Sequence, residues 1–316
     1  DVDTGSDDAV AIMEAVLSKG IELLAVCTVW GNVPVENTTE NTLRVLQLVG
    51  SELPVYKGAP QPMVKHLSRN RMKDGRTNRA ATLGEKTLRM HPEYLELPPS
   101  RRGCEGRDAV SYYIETLRAA KEPVTLVACG PMTNVGLALT IAPDIVKNIE
   151  EIVLMGGGCY QANCTACAES NIWHDPEAAQ ALLQSGAKVT IVPLDATHRA
   201  ALTKEHCKLL RAVGTPAADF AAEMAENRMV VYNQTQPLAR PDLSPLHDPL
   251  CIAYLIDPEV LTDLRPVHCE VDCGDGAGQG QTIVDPRYFT EEKNSYFAFD
   301  ADVDRFVSIL CDVFRG

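Results

Sequence analysis

Apolar runs rich in β-branched residues recur along this chain, and each is followed by a stretch with helical spacing. No other feature narrows the fold as far. Residues 21–29, 124–128, 152–155 and 189–194 read as strands. Residues 35–48, 134–141, 176–183, 204–213 and 217–230 carry apolar positions at helical spacing. Strands buried on both faces show as continuous rather than alternating apolar runs, and parallel neighbours need helical crossovers. The pattern therefore specifies an α/β fold: a single domain over 1–316 whose mostly parallel, Rossmann-like central sheet is covered by helices on both faces. Two further strand-like pieces, 265–271 and 281–284, and a helix over 301–314 close the chain.

One segment breaks the alternation. Residues 59–107 hold few apolar positions and many basic ones, among them Lys65, His66, Arg69, Arg71, Lys73, Arg76 and Arg79. A solvated basic insertion is the first reading. A flap over an active site is the second, since long loops on α/β scaffolds carry function. Over the whole chain the balance is the reverse, a net charge of −14 across 316 residues. That excludes a global basic footprint for nucleic acid and sets the protein against an anionic membrane surface. No run approaches the roughly 18 apolar residues that span a bilayer, and no signal peptide is visible. Eleven cysteines, several in apolar surroundings (Cys27, Cys251, Cys311), read as free thiols in a reducing, cytoplasmic compartment. Cys164 and Cys167 have the spacing of a zinc or redox pair, but no second pair follows, so neither role is assigned.

In open α/β sheets ligands sit at the carboxyl ends of the strands, so strand-to-helix turns hold the chemistry. The first such turn is Asp1-Val-Asp-Thr-Gly-Ser-Asp-Asp8. An apolar strand is expected to lead into it, although the sequence opens on Asp1 itself. Alternation sets Asp1 and Asp3 on one side of an extended segment. Gly5 permits a tight turn. Asp7 and Asp8 fall at the start of a helix running through residues 9–17, where the dipole favours carboxylates. Such a density of carboxylates needs a compensating charge, and hard oxygen ligands suit Ca²⁺ or Mg²⁺. A helix start with solvated acids accounts for Asp7 or Asp8 but not for Asp1 and Asp3 together. An EF-hand loop is excluded by Gly5 and Ile12, which stand where it needs an oxygen ligand and a glutamate. The Asp-x-Asp pair of haloacid-dehalogenase-type phosphatases is matched only as far as Gly5, and that family has no use for Asp7-Asp8.

The run instead resembles the signature of the nucleoside hydrolases of the inosine-uridine preferring type, and four more segments carry the resemblance along the chain in order. Thr28-Val-Trp-Gly-Asn32 is similar to that family's Thr-Val-x-Gly-Asn, and Cys129-Gly-Pro-Met-Thr-Asn134 to its Gly-x-x-Thr-Asn turn. Met155-Gly-Gly-Gly158, then Asn163 and Ala168-Glu-Ser-Asn171, match its sugar-holding segment, with Ser170 where many members have Phe. His247-Asp248-Pro249 is similar to its His-Asp-Pro.

The resemblance implies calcium-dependent hydrolysis of the N-glycosidic bond of ribonucleosides, giving free base and ribose. Asp3, Asp8, Asp248 and the main-chain carbonyl of Cys129 would bind Ca²⁺, and Asp3 would deprotonate a metal-bound water set against the anomeric carbon. Asp7 and Asn32 would hold the ribose diol. Asn163, Glu169 and Asn171 would grip the 5′-hydroxyl end, with Met155 nearby. His247 would protonate the leaving base, its ordinary pKa lying near neutrality; a helix-start residue is the plainer reading of it. Tyr232 and Trp173 are read first as core packing and second as neighbours of the base. The resemblance further implies a homo-oligomer, dimer or tetramer, in nucleoside catabolism and purine or pyrimidine salvage. Its partner would be a small-molecule nucleoside, with neither nucleic acid nor membrane involved. Two other functions stay open to the residues alone: a Mg²⁺-dependent phosphatase-like enzyme and a non-catalytic nucleoside- or ribose-binding protein. Release of free base separates all three. The stretches with least resemblance, 59–107 and 225–245, are those that would set base preference.

Overall fold

The computed structural model describes residues 1–64, 79–287 and 292–316. Ten strands run in chain order among them: β1 (Val26–Thr28), β2 (Val55–Lys57), β3 (Ala80–Leu83), β4 (Lys86–Arg89), β5 (Val124–Ala128), β6 (Ile149–Met155), β7 (Val189–Val192), β8 (Asp263–Val271), β9 (Thr282–Asp285) and β10 (Ser295–Asp300). The central sheet has the order β5-β6-β7-β10-β8-β9. Its first four strands are parallel, and β8 and β9 extend it antiparallel beyond β10. β1 and β2 form a separate parallel pair. The segment from Asp1 to Asp3 ties the two together: Val2 N–H donates to Cys27 O at 2.9 Å, and Cys129 N–H donates to Asp1 O at 2.8 Å.

The sheet is covered on both faces, as the continuous apolar runs require. Along β6, Val153 and Met155 enter one core with helices Ser6–Leu17, Pro216–Thr235 and Val303–Arg315. Ile152 and Leu154 enter the other, against helices Ala109–Ala119, Thr133–Ile141 and Pro176–Leu183. Each such side chain contributes about 1.5–3 kcal/mol by leaving water. Among the described residues, no helix is long and apolar enough to cross a membrane.

Two elements depart from expectation. The strand expected over 21–29 is confined to β1. Residues 21–25 run without strand pairing. β10 was not expected, yet it joins β7 to β8 at the middle of the sheet.

The insertion forms the β3–β4 hairpin over its described part. Ala81, Leu88 and Met90 are buried against Val231 and Tyr232 of helix Pro216–Thr235. The other side chains of the two strands are exposed. Lys65, His66, Arg69, Arg71, Lys73 and Arg76 lie outside the described residues.

Candidate active site

The ends of β1, β5 and β6 and the start of helix Pro249–Ile256 meet at one pocket. Asp3, Asp7, Asn32, Cys129, Met155 and Asp248 line it, and so do Asn163, Glu169, Asn171 and His247. Asp8 is wholly buried at the wall. Its Oδ1 accepts from Asp3 N–H at 3.1 Å, and its Oδ2 from Gly5 N–H at 2.9 Å and Asn32 Nδ2 at 3.3 Å. Asp3 Oδ2 accepts from Asn32 N–H at 2.7 Å. Asn32, expected at the ribose diol, thus also fixes both carboxylates. A Cβ at Gly31 would overlap the Asp3 carboxylate.

Two readings of the acidic turn are corrected. Gly5 has φ −110°, which needs no glycine. Space is the reason for it, because a Cβ there would overlap His91. Asp1, expected on the same side as Asp3, has no place in the pocket. Its Oδ2 accepts from Tyr113 Oη and Asn134 Nδ2, each at 2.9 Å.

The carboxylates divide by environment. Burial raises the pKa of Asp3 well above the ordinary value, and Asp8 adds to the rise. Burial, then Asp7, lifts Asp8 to about 7. Burial, Asp7 and Asp8 lift Asp248 well above the usual range. None of the three has an ion-pair partner among the described residues. Asp7 is the exception. Burial alone would raise it, but Arg228, assisted by His91 and His247, holds it below the ordinary value. The Arg228 guanidinium lies 2.8 Å from Asp7 Oδ1.

Glu169 and Asn171 build the opposite wall. Glu169 caps helix Ser170–His174, with Oε1 accepting from Asn171 N–H at 2.9 Å and Oε2 from Gly157 N–H at 3.0 Å. Burial lifts its carboxyl to about 7 against these donors. Asn171 Nδ2 donates to the carbonyls of Cys129 and Met155 at 2.9 and 3.1 Å. A carbonyl has two lone pairs, so Cys129 keeps one for another partner. Asn163 Oδ1 accepts from Ser170 N–H at 2.9 Å.

His247 is held at both ring nitrogens. Nε2 lies 2.7 Å from Tyr232 Oη and Nδ1 lies 2.7 Å from Thr197 Oγ1. Tyr232 is both buried and part of the pocket lining. Trp173 is buried away from the pocket lining, its ring edge-on to His174, so core packing describes it.

Asp7, Asp8 and His91 bring one donor atom each within 4.8 Å of one another. That trio differs from the expected ligands Asp3, Asp8, Asp248 and Cys129. Asp7 Oδ1 is already neutralised by Arg228, whereas Asp3, Asp8 and Asp248 gather negative charge without compensation. A buried cluster of hard oxygen donors in that condition fits a hard divalent cation.

Arg228, His91 and Arg79 also line the pocket, and sequence reasoning did not single them out as site residues. Arg79 donates to Asn163 O and Gln236 Oε1, bridging the start of the hairpin to the wall that carries Asn163. For Arg228 the one available signal is a charged residue inside a helix with buried positions all round. No disulfide joins the cysteines among the described residues, and the Cys167 thiol lies 3.2 Å from Ala277 O.

A sequence model described as inosine-uridine preferring nucleoside hydrolase matches residues 1–308. The pyrimidine-specific ribonucleoside hydrolase RihA of Escherichia coli O1:K1 is 35% identical over 314 residues, 99% of this chain and 96% of that protein. Among solved structures, the purine-preferring ribonucleoside hydrolase from Gardnerella vaginalis superposes with a TM-score of 0.82 at 32% identity, covering 100% of this chain and 96% of that one. An inosine-guanosine nucleoside hydrolase superposes with a TM-score of 0.82 at 26% identity, covering 99% and 96%.

Proposed function

Because the chain belongs to the inosine-uridine preferring nucleoside hydrolase family, it is a hydrolase of ribonucleoside N-glycosidic bonds, and we propose that it works with calcium held by Asp3, Asp8, Asp248 and the carbonyl of Cys129. One observation carries this reading. Asp3 and Asp248, buried carboxylates without an ion-pair partner among the described residues, line a pocket with a His247–Tyr232 pair, and Asp8 lies buried against Asp3.

When bound, the cation supplies positive charge that lowers the pKa of water and fixes its position. Asp3 takes the proton of the attacking water. Asp7, kept ionised by Arg228, accepts hydrogen bonds from the ribose diol, and Asn32 lies beside it. Asn163, Glu169 and Asn171, with Met155, close on the 5′-hydroxyl end. Positive charge developing on the sugar ring is met by the surrounding carboxylates. His247 and Tyr232 return a proton to the departing base.

A cytoplasmic setting accords with cysteines that form no disulfide among the described residues. A dimer or tetramer acting in nucleoside salvage completes the proposal.

The test is release of free base from inosine, uridine, adenosine and cytidine by the purified protein, with calcium and with chelator. Hydrolysis is expected with calcium, is lost on chelation and returns when calcium is restored. Turnover that survives complete chelation removes the metal from the reading. Ribose binding without base release from any nucleoside would make the protein a binder instead.

A further inference from the structure

Arg228 is, with Arg79, one of two guanidiniums lining a pocket rich in carboxylates, and so far it has no task beyond holding Asp7. It is 2% exposed, within helix Pro216–Thr235. Its Nε donates to Pro245 O at 3.0 Å, and one terminal nitrogen donates to Ser6 Oγ and Asp7 Oδ1, both at 2.8 Å. The other terminal nitrogen donates to no carbonyl or carboxylate among the described residues; the guanidinium also engages the Tyr232 hydroxyl, and Arg228 lines the pocket.

One helical turn on, the Tyr232 ring centroid lies 5.8 Å from the guanidinium carbon. The Tyr232 hydroxyl is tied to His247 Nε2, and Thr197 engages Nδ1, so both ring nitrogens of His247 are already occupied. The cation beside this end of the pocket is one that cannot give up a proton, because arginine does not deprotonate in proteins. It acts only by charge and by hydrogen bonds.

We infer that Arg228 binds the departing base through its second terminal nitrogen and stabilises the negative charge that builds on it. The inference rests on the nucleoside hydrolase reading above. As the C1′–N bond breaks, its electron pair passes to the base nitrogen, the water oxygen bonds to C1′, and the water's proton goes to Asp3. Anionic charge builds on the base as the bond breaks, ahead of the proton that the Tyr232 hydroxyl delivers in the same step and solvent replaces. A donor aimed at charge that appears in the transition state accelerates the step, whereas one that binds the ground state equally does not. The leaving groups that fit are weakly acidic bases with carbonyl acceptors, such as uracil or hypoxanthine. Cytosine and adenine, less acidic, fit less well.

Arg228→Lys separates this role from support of Asp7. A lysine ammonium keeps the charge beside Asp7 but lacks the second arm of the fork. On uridine, kcat/KM is expected to fall about 100-fold, the loss typical of one donor to developing charge. On 4-nitrophenyl riboside, whose leaving group is already a stable anion, it falls less than about threefold, and inhibition by ribose is unchanged. Equal losses on both substrates with weaker ribose inhibition would show that Arg228 only positions Asp7, and would overturn the inference. Unchanged uridine turnover would overturn it too.

A measurement on the wild-type enzyme stands even where the variant does not fold. 5-Fluorouridine, with its more acidic base, should turn over about tenfold faster than uridine if negative charge builds on the base as the bond breaks. Equal or slower turnover would mean that protonation comes first. An enzyme that releases no base from any of these substrates fails the parent reading instead.

Discussion

Tyr232 Oη lies 2.7 Å from His247 Nε2, and the two residues come from different elements, the long helix Pro216–Thr235 and the turn before Pro249. Burial, then Arg228, holds the imidazole well below its ordinary pKa. Burial pushes the phenol of Tyr232 up. At neutral pH both are uncharged, so they pass a proton as a unit and not as independent acids. Tyr232→Phe and His247→Ala are each expected to slow hydrolysis of inosine and uridine by about 10²–10⁴-fold. The double variant should be no slower than the worse single one. Ribose inhibition should stay nearly normal in all three. Wild-type rates in His247→Ala would end its assignment, and additive losses would show two separate roles.

Calcium binding should release protons. Asp3, Asp8 and Asp248 are raised chiefly by burial and then by one another or Asp7, with Asp8 at about 7. For a carboxyl at about 7 folded and 3.8 unfolded, the stability contributed is complete below 3.8 and gone once pH has risen through about 7. The chelated protein should therefore lose stability as pH rises from about 4 to about 7, and calcium, which binds ionised carboxylates, should restore it. Calorimetric titration with calcium near pH 6.5, in two buffers of different ionisation heat, counts the protons released. No release would argue against these ligands. Asp3→Ala and Asp8→Ala should abolish hydrolysis and weaken calcium binding, and full turnover by either would remove the metal-site assignment.

Some of this site is legible in the sequence for a physical reason. A strand-to-helix turn must collect its groups from consecutive positions, so Asp3, Asp7 and Asp8 stand close in the chain, and such crowded carboxylates have no structural use. β5, β6 and β7 are legible because buried parallel strands leave continuous apolar runs. Arg228 gives no such signal. Its helix buries Ala225, Met229 and Val231 as well, so helical period assigns its side chain no direction. His91 follows the β3–β4 hairpin, and its place beside Asp7 depends on how that hairpin packs on Tyr232. β10 escapes for another reason. Six residues with Phe297 and Ala298 buried in succession and Tyr296 41% exposed show neither clean alternation nor a long apolar run.

Gly5 offers a test of close packing at the site. A Cβ there would overlap the His91 ring and come within 3.1 Å of Asn32 Nδ2. Gly5→Ala is expected to displace His91, destabilise the fold by about 1–3 kcal/mol and slow hydrolysis. His91→Ala clears the space. The double variant should accordingly recover most of the stability lost by Gly5→Ala, a coupling expected of residues in contact. Thermal unfolding of the three variants decides it, and simple addition of two losses would show that His91 is not what Gly5 accommodates.

Glu14 is the clearest case of a charge position that opposes folding. It lies in helix Ser6–Leu17 with 0% exposure, and neither carboxylate oxygen has a hydrogen-bond partner among the described residues. Burial pushes its pKa well above 4.5. The folded protein therefore keeps the proton at neutral pH while the unfolded chain loses it. The sign is fixed by this difference. The carboxyl costs nothing below about pH 4.5, and stability falls by about 1.4 kcal/mol per pH unit as pH rises toward the folded value. Glu14→Gln keeps the shape and removes the titration. It should stabilise the protein by about 1–3 kcal/mol near pH 8 and by almost nothing near pH 4. Urea unfolding at both pH values measures the difference. A gain of equal size at both would mean that packing, not the buried proton, is what the glutamate costs.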